Sequence, residues 1–160
     1  MAHTSSADEG LMRLALEQAR TCIAAGDVPV GAVVARDGDV LASAGNARER
    51  LGDPTAHAEI LALREAARRT GSWRLDGCTL VVTLEPCAMC AGAIVLARVE
   101  RVVFGALDPK AGFAGSLGDL VRDPRLNHRA ELTTGVLAEE CGEVLRAFFR
   151  ERRGADQSSA

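Results

Sequence analysis

The chain has 160 residues, 48% of them hydrophobic and 26% charged, which suits one globular domain with a substantial core and does not suit a disordered segment. A formal net charge of -3 excludes a protein that binds nucleic acid through overall basicity, so any such surface must be a local patch. No apolar run reaches the roughly 18 residues needed to cross a bilayer, and a membrane protein is not expected.

The stretch "MAHTSSADEG" has neither the basic nor the apolar segment of a secretory leader, and a cytoplasmic location is expected. Five cysteines are an odd number, which argues against a full disulfide framework and leaves reduced thiols available for metal. From Asp8 to Ala25, Leu11, Leu14, Ala15, Ala19, Cys22 and Ile23 recur at helical spacing, and Gly26 ends the run. Two strands, about Val30 to Arg36 and Asp39 to Gly45, follow as a hairpin around the Asp37-Gly38 turn signal.

A second helix is predicted from about Ala56 to Arg69, with Ile60, Leu61, Leu63 and Ala67 on one side, basic residues in its last turn and Gly71 beyond. "CTLVVTLE", bounded by Gly77 and Pro86, reads as a buried strand, and "CAMCAGAIVLARV" as a helix buried on most faces. "RVVFGA" is a further strand. The Gly, Pro and Asp content of "LDPKAGFAGSLGDLVRDPRLNHRAE" marks a long loop of functional character. A short strand near Leu132 to Thr134, a helix from Glu139 to Arg153 and a frayed "GADQSSA" tail complete the reading. There is no internal repeat. The order of elements predicts an α/β fold, one domain over 1–160 with its core at about 8–153, in which helices cover both faces of a mixed sheet.

Two stretches carry chemistry. In "TAHAEILAL", His57 and Glu59 lie two residues apart at a helix start; in "TLEPCAMC", Cys87 and Cys90 lie three apart at another, directly after a strand and Pro86. Positions three apart share a helix face, so both sulfurs can reach one ion, and the free N–H groups of a helix start favour the thiolate form that metals require. Pro86 suits such an entrance because its missing N–H would have no partner there. His57 supplies a third ligand. Three protein ligands leave one position for water, the pattern of a catalytic zinc rather than a closed structural one. Glu59 can then approach that water without binding the metal and carry its proton. Alone, His-x-Glu at a helix start is usually a cap or surface feature, and an isolated CxxC is often a structural metal clip or a redox pair. Together they form the signature of zinc deaminases of nucleobases.

Further blocks, "VPVGAVV", "DPTAHAEILALR", "TLEPCAMCAGAI", "RVVFGALDPKAGFAGS", "LNHR" and "FFRERR", follow in order and spacing. From Leu11 to Arg153 the chain resembles the bacterial tRNA-specific adenosine deaminases of the cytidine deaminase-like superfamily. The resemblance implies a three-layer α-β-α fold with about five strands in a mixed sheet, and one zinc ion per subunit held by His57, Cys87 and Cys90. It implies conversion of the wobble adenosine of a tRNA anticodon to inosine with release of ammonia, a zinc-bound hydroxide attacking C6 of the flipped-out base with Glu59 as proton shuttle. Asn46 matches the position that hydrogen-bonds the target nucleotide, which an amide can do as donor and acceptor. Val30 and Pro86 match pocket walls. Asp108, Lys110, Asn127, His128 and Arg129 match loop positions that approach flanking anticodon nucleotides. The family also implies a homodimer whose partner subunit helps to form the substrate site; the small-residue run "CAMCAGAIVLA" permits close helix packing, within one chain as well as between two.

The last helix adds Arg146, Arg150 and Arg153 at three- and four-residue spacing, with Arg152 adjacent and Phe148 and Phe149 interleaved. Phe149, Arg150 and Arg152 are therefore candidates for base stacking and phosphate contact, with one of the two phenylalanines packed inward. The plainer alternative is a solvated face. Cys22, Cys78 and Cys141, which lack a CxxC partner, read as buried free thiols, and Trp73 as a core or interface aromatic.

Two other functions stay open on the residues alone. The same zinc chemistry would serve a deaminase of free bases or nucleosides. A structural zinc module or RNA-binding protein would need Cys78, Cys141 or His128 to complete the coordination.

Overall fold

The computed structural model describes residues 5–158. Helix α1 (Ser6–Thr21) opens on Ser5, whose side chain accepts from the Asp8 amide, and a single 3-10 turn (Ile23–Ala25) ends at left-handed Gly26. Strands β1 (Gly31–Arg36) and β2 (Asp39–Gly45) form the expected hairpin. Asp37 and Gly38 both have positive φ, as a turn matched to strand twist requires. A four-residue helix α2 (Arg48–Leu51) had no counterpart in the sequence reading. Its N-terminus is held by a distant residue: buried Asp27 accepts from the amides of Glu49 and Arg50.

Helix α3 (Ala58–Thr70), strand β3 (Cys78–Leu84), helix α4 (Ala88–Ala97) and strand β4 (Arg101–Ala106) follow close to the predicted bounds. Strand β5 (Glu131–Thr134) and helix α5 (Ala138–Ser158) complete the chain. The frayed tail is corrected here, since α5 runs on through Gly154. One interior glycine costs a helix only about 1 kcal/mol relative to alanine, and no proline follows to stop it.

The sheet order is β2-β1-β3-β4-β5, antiparallel among the first three strands and parallel from β3 onward. Side chains alternate across the sheet plane, so each strand feeds two cores. Val33, Val81 and Val103 pack with Met12, Ala15 and Leu16 of α1 and Cys141 of α5. Val34, Leu80, Val82, Val102 and Phe104 pack with Ala58, Ala62 and Leu63 of α3 and Ala91 and Ile94 of α4. This is the three-layer α-β-α arrangement expected. Full burial of each large side chain contributes roughly 1.5–3 kcal/mol, and Phe104, Leu16, Leu80 and Ile94 are all 1% exposed or less.

Asp8 of α1 is buried and forms a bidentate pair with Arg101 of β4, at 2.7 and 2.9 Å, tying the first helix to the central sheet. Cys22, Cys78 and Cys141 are buried free thiols. Trp73 is 62% exposed, so the core reading fails for it; it sits just past the end of α3 in contact with its neighbour Arg74.

Candidate active site

Parallel strands β3 and β4 deliver their C-terminal ends to one edge of the sheet, where α3 and α4 both begin. His57 is the N-cap of α3 and Cys87 the N-cap of α4, yet neither side chain caps its own helix. They turn toward each other. Cys87 Sγ lies 3.6 Å and Cys90 Sγ 3.5 Å from His57 Nδ1. The three donors fall within 4.8 Å of one another, and among the described residues they form the one such cluster of three or more His, Cys, Asp or Glu side chains. Two soft sulfurs and an imidazole suit zinc, and three protein donors leave one position of a four-coordinate ion free. Cys78, Cys141 and His128 are not in the cluster, so the closed structural site has no fourth ligand here.

The electrostatics agree with a metal site. Hydrogen bonding from Cys90, reinforced by His57 against the cost of burial, pushes the Cys87 thiol down to about 3. The adjacent Cys87 sulfur, burial and the nearby Glu59 carboxylate push the Cys90 thiol up. A divalent ion held by the three donors would favour the thiolate form of both cysteines. His57 is raised by its contact with Cys87. Glu59, in the first turn of α3 and 4% exposed, is raised chiefly by burial, which moves a carboxyl toward the range useful for proton transfer near neutrality.

A cavity of about 200 Å³ opens over this cluster, lined by Val28, Val30, Asn46, Leu84 and Asp108 besides His57, Glu59 and Cys87. Asn46 is 9% exposed; its Nδ2 donates to the Val28 carbonyl at 3.0 Å and its Oδ1 accepts from the Arg48 amide at 3.3 Å. Val30 lines the cavity. Pro86 is buried, its carbonyl accepts from the Phe113 amide at 2.8 Å, and it is not among the residues lining the cavity. Cys87 rather than Pro86 sits at the helix boundary.

A larger groove of about 890 Å³ shares Val28, Leu84, Asp108 and Ala111 with the cavity and runs on to Lys110, Arg146 and Phe149. Phe149 is 41% exposed on α5 while Phe148 packs inward, edge to face with it. The basic face of α5 is less free than its sequence suggests. Arg146 pairs with Glu139 and Glu143, Arg150 with Glu143, and Arg152 lies over the Phe148 ring.

Asn127, His128 and Arg129 are not brought to the metal. Strand β5 pairs in parallel with β4 from Arg101↔Glu131, so the residues before it lie at the opposite end of β4 from Ala106 and the cavity. His128 donates to the Val99 carbonyl at 2.6 Å, Arg129 donates to the Pro124 carbonyl, and Asn127 is exposed. In a single chain these three therefore lie away from the cavity. In the other direction, sequence reasoning missed Val28, Arg48, Leu84, Glu85 and Ala111 as lining residues. Glu85 was legible only as the end of a strand. Its carboxyl is 2% exposed; burial alone would raise it, but hydrogen bonds from Ser116, Asp108 and Ala114 hold it below the usual range.

Comparison with known proteins agrees with this geometry. Residues 5–106 match the cytidine and deoxycytidylate deaminase zinc-binding region. The tRNA-specific adenosine deaminase of Bacillus subtilis (strain 168) is 53% identical over 146 residues, covering 91% of each chain. This chain belongs to the tRNA-specific adenosine deaminase family. The family's Haemophilus influenzae member is 49% identical over 150 residues, covering 93% of this chain and 87% of its own. Among solved structures, one from work on A-to-I editing by tRNA:A34 deaminases superposes with a TM-score of 0.82 at 43% identity, covering 85% of this chain and 99% of that one. Guanine deaminase from Nitrosomonas europaea shares the architecture at a TM-score of 0.75 and 27% identity, covering 92% and 86%. The family is one of zinc-dependent hydrolytic deaminases, and the His57, Cys87 and Cys90 donor set fits that metal.

Proposed function

We propose that this deaminase converts the wobble adenosine of a tRNA anticodon stem-loop to inosine, releasing ammonia, with the whole chain acting as one deaminase domain. The observation that carries a polymer substrate is the continuity of the small cavity with the larger groove through four shared residues. A free base would fill the first and leave the second without a function.

His57, Cys87 and Cys90 hold the zinc ion, which when bound supplies Lewis-acid activation of water. Glu59 would carry two protons in turn, one from the attacking water to N1 of the adenine and one from the new C6 hydroxyl to the amino group, which leaves as ammonia. Its burial keeps each proton from bulk solvent during transfer. Asn46 and Val30 bound the target base, and the backbone contacts of Asn46 fix the amide plane before substrate arrives. Asp108, Lys110 and Phe149 receive flanking nucleotides, with Arg150 and Arg152 beside them on α5.

The active form is a homodimer. Met89 and Leu96 stand 36% and 70% exposed on one face of α4, separated by Gly92 and Ala93, an apolar stripe that a second copy would cover. Leu96→Arg is expected to shift the protein to monomer in sedimentation velocity. Free thiols and the lack of any helix long and apolar enough to cross a membrane among the described residues support a cytoplasmic site of action.

The test is deamination by the zinc-loaded protein of an anticodon stem-loop carrying a wobble adenosine, beside free adenosine, cytidine and guanine. Inosine in the stem-loop alone is expected. Product from a free base or nucleoside alone would keep the zinc chemistry and overturn the tRNA substrate.

A further inference from the structure

We propose that Glu85 is a positioning residue whose buried carboxylate holds the 108–116 loop in the shape that receives the RNA. Its Oε1 accepts from the Asp108 amide at 3.0 Å and from the Ser116 hydroxyl at 2.5 Å; its Oε2 accepts from the amides of Ala114 and Ser116 at 3.1 and 3.0 Å. Four donors from three loop residues converge on one carboxylate. Backbone bonds also hold the loop, from the Gly112 amide to the Asp108 carbonyl at 2.9 Å and from the Phe113 amide to the Pro86 carbonyl at 2.8 Å, and the Glu85 carboxylate joins its two ends, Asp108 and Ser116.

Gly112 shows how closely the loop is drawn in. A Cβ there would overlap the Glu85 carboxylate, so only glycine permits the approach. The loop in turn carries the groove. Asp108 and Ala111 line both the cavity and the groove, and Lys110 lines the groove. The Asp108 side chain is occupied in accepting from the amides of Lys110 and Ala111, which makes those two residues follow wherever Asp108 is placed. Glu85 itself ends β3 through its own amide, bonded to the Ala106 carbonyl at 2.9 Å. The carboxylate thus references the RNA-facing loop to the same strand that presents Cys87. The opposite wall has a parallel device in Asp27, which pins the segment bearing Asn46 and Arg48.

The functional part of this inference rests on the anticodon reading; the loop-holding part does not. Replacing Glu85 by Gln keeps the shape but turns an acceptor oxygen into a donor amide facing N–H groups. In zinc-loaded Glu85→Gln, hydrogen exchange at the Asp108, Ala114 and Ser116 amides is expected to quicken about tenfold or more, with the β3 amides unchanged. KM for the stem-loop should rise about tenfold while kcat stays within about twofold and zinc content is unchanged. Unchanged loop exchange and KM would overturn the proposal. So would zinc loss with a fall in kcat at constant KM, which would make Glu85 a support for Cys87. Should Glu85→Gln fail to fold, Ser116→Ala removes one donor from an exposed residue and is expected to raise KM about threefold; no rise would overturn the proposal. Wild-type protein inactive on the stem-loop would overturn the anticodon reading instead, while exchange at the loop would still test the holding role.

Discussion

At the metal end of the cleft, three donors from two helix starts lie within 4.8 Å, buried or half-buried, with Glu59 enclosed beside them. At the groove end, Lys110 and Phe149 stand exposed on a loop and on α5, and Arg146 and Arg150 of α5 are paired with acids. The difference follows from the chemistry each end performs. Metal ligands must be placed to fractions of an ångström, so they sit where regular elements begin. Flanking nucleotides are flexible and charged, and exposed side chains that adapt can receive them.

The largest expected effect lies at the metal end. Glu59→Ala should lower kcat by about 10⁴ while keeping zinc and fold, as loss of the general acid-base group predicts. Metal analysis beside single-turnover rates checks it, and loss of zinc in that variant would break the division of labour drawn here.

Stability provides the next contrast, from a pair that belongs to neither end. Asp8→Asn should cost about 2 kcal/mol in urea unfolding at neutral pH, since it leaves partly buried Arg101 without its charged partner. The Arg101 guanidinium holds Asp8 below its ordinary value of 3.8. The contribution of Asp8 is therefore complete above that value and is lost as pH falls through the lower folded one. The gap between variant and wild type should close in strongly acidic solution, with kcat/KM at neutral pH unaffected at temperatures where both are folded.

Phe149→Ala should raise KM for the stem-loop about tenfold with kcat little changed, because stacking on one ring is worth roughly 1–3 kcal/mol per base. A fall in kcat instead would join the groove to the chemistry and erase the distinction between the two ends. The smallest effect concerns charge. Glu143 is the shared partner of Arg146 and Arg150 while Glu139 also holds Arg146, so Glu143→Gln should free Arg150, leave Arg146 on Glu139, and tighten stem-loop binding about twofold at low salt, less at high salt. Binding titrations at two ionic strengths would show it.

The elements that carry the metal site were legible because their patterns are local. His57 and Cys87 each stand at the junction where a loop or strand gives way to a helical period, and i to i+3 spacing places Cys90 beside Cys87 on the same face. The hairpin was legible from Asp-Gly, whose two positive-φ positions few other dipeptides tolerate. Four residues of α2 were not, because their cap comes from Asp27, more than twenty positions earlier, and no local signal announces it.

The sequence by itself determined the metal donor set, the alternation that splits the core into two layers, and the family. Only the tertiary structure decided which loop residues meet the cavity. Parallel pairing of β5 with β4 sends Asn127, His128 and Arg129 to the far end of the sheet, while the same long loop leaves Asp108 at the cavity and Lys110 in the groove. It also decided that the arginines of α5 are half-neutralised and that a strand-end glutamate organises a loop. The physical reason is range: helix starts, turns and spacing are set by neighbours in the chain, whereas strand order and buried hydrogen bonds join residues that the sequence keeps far apart.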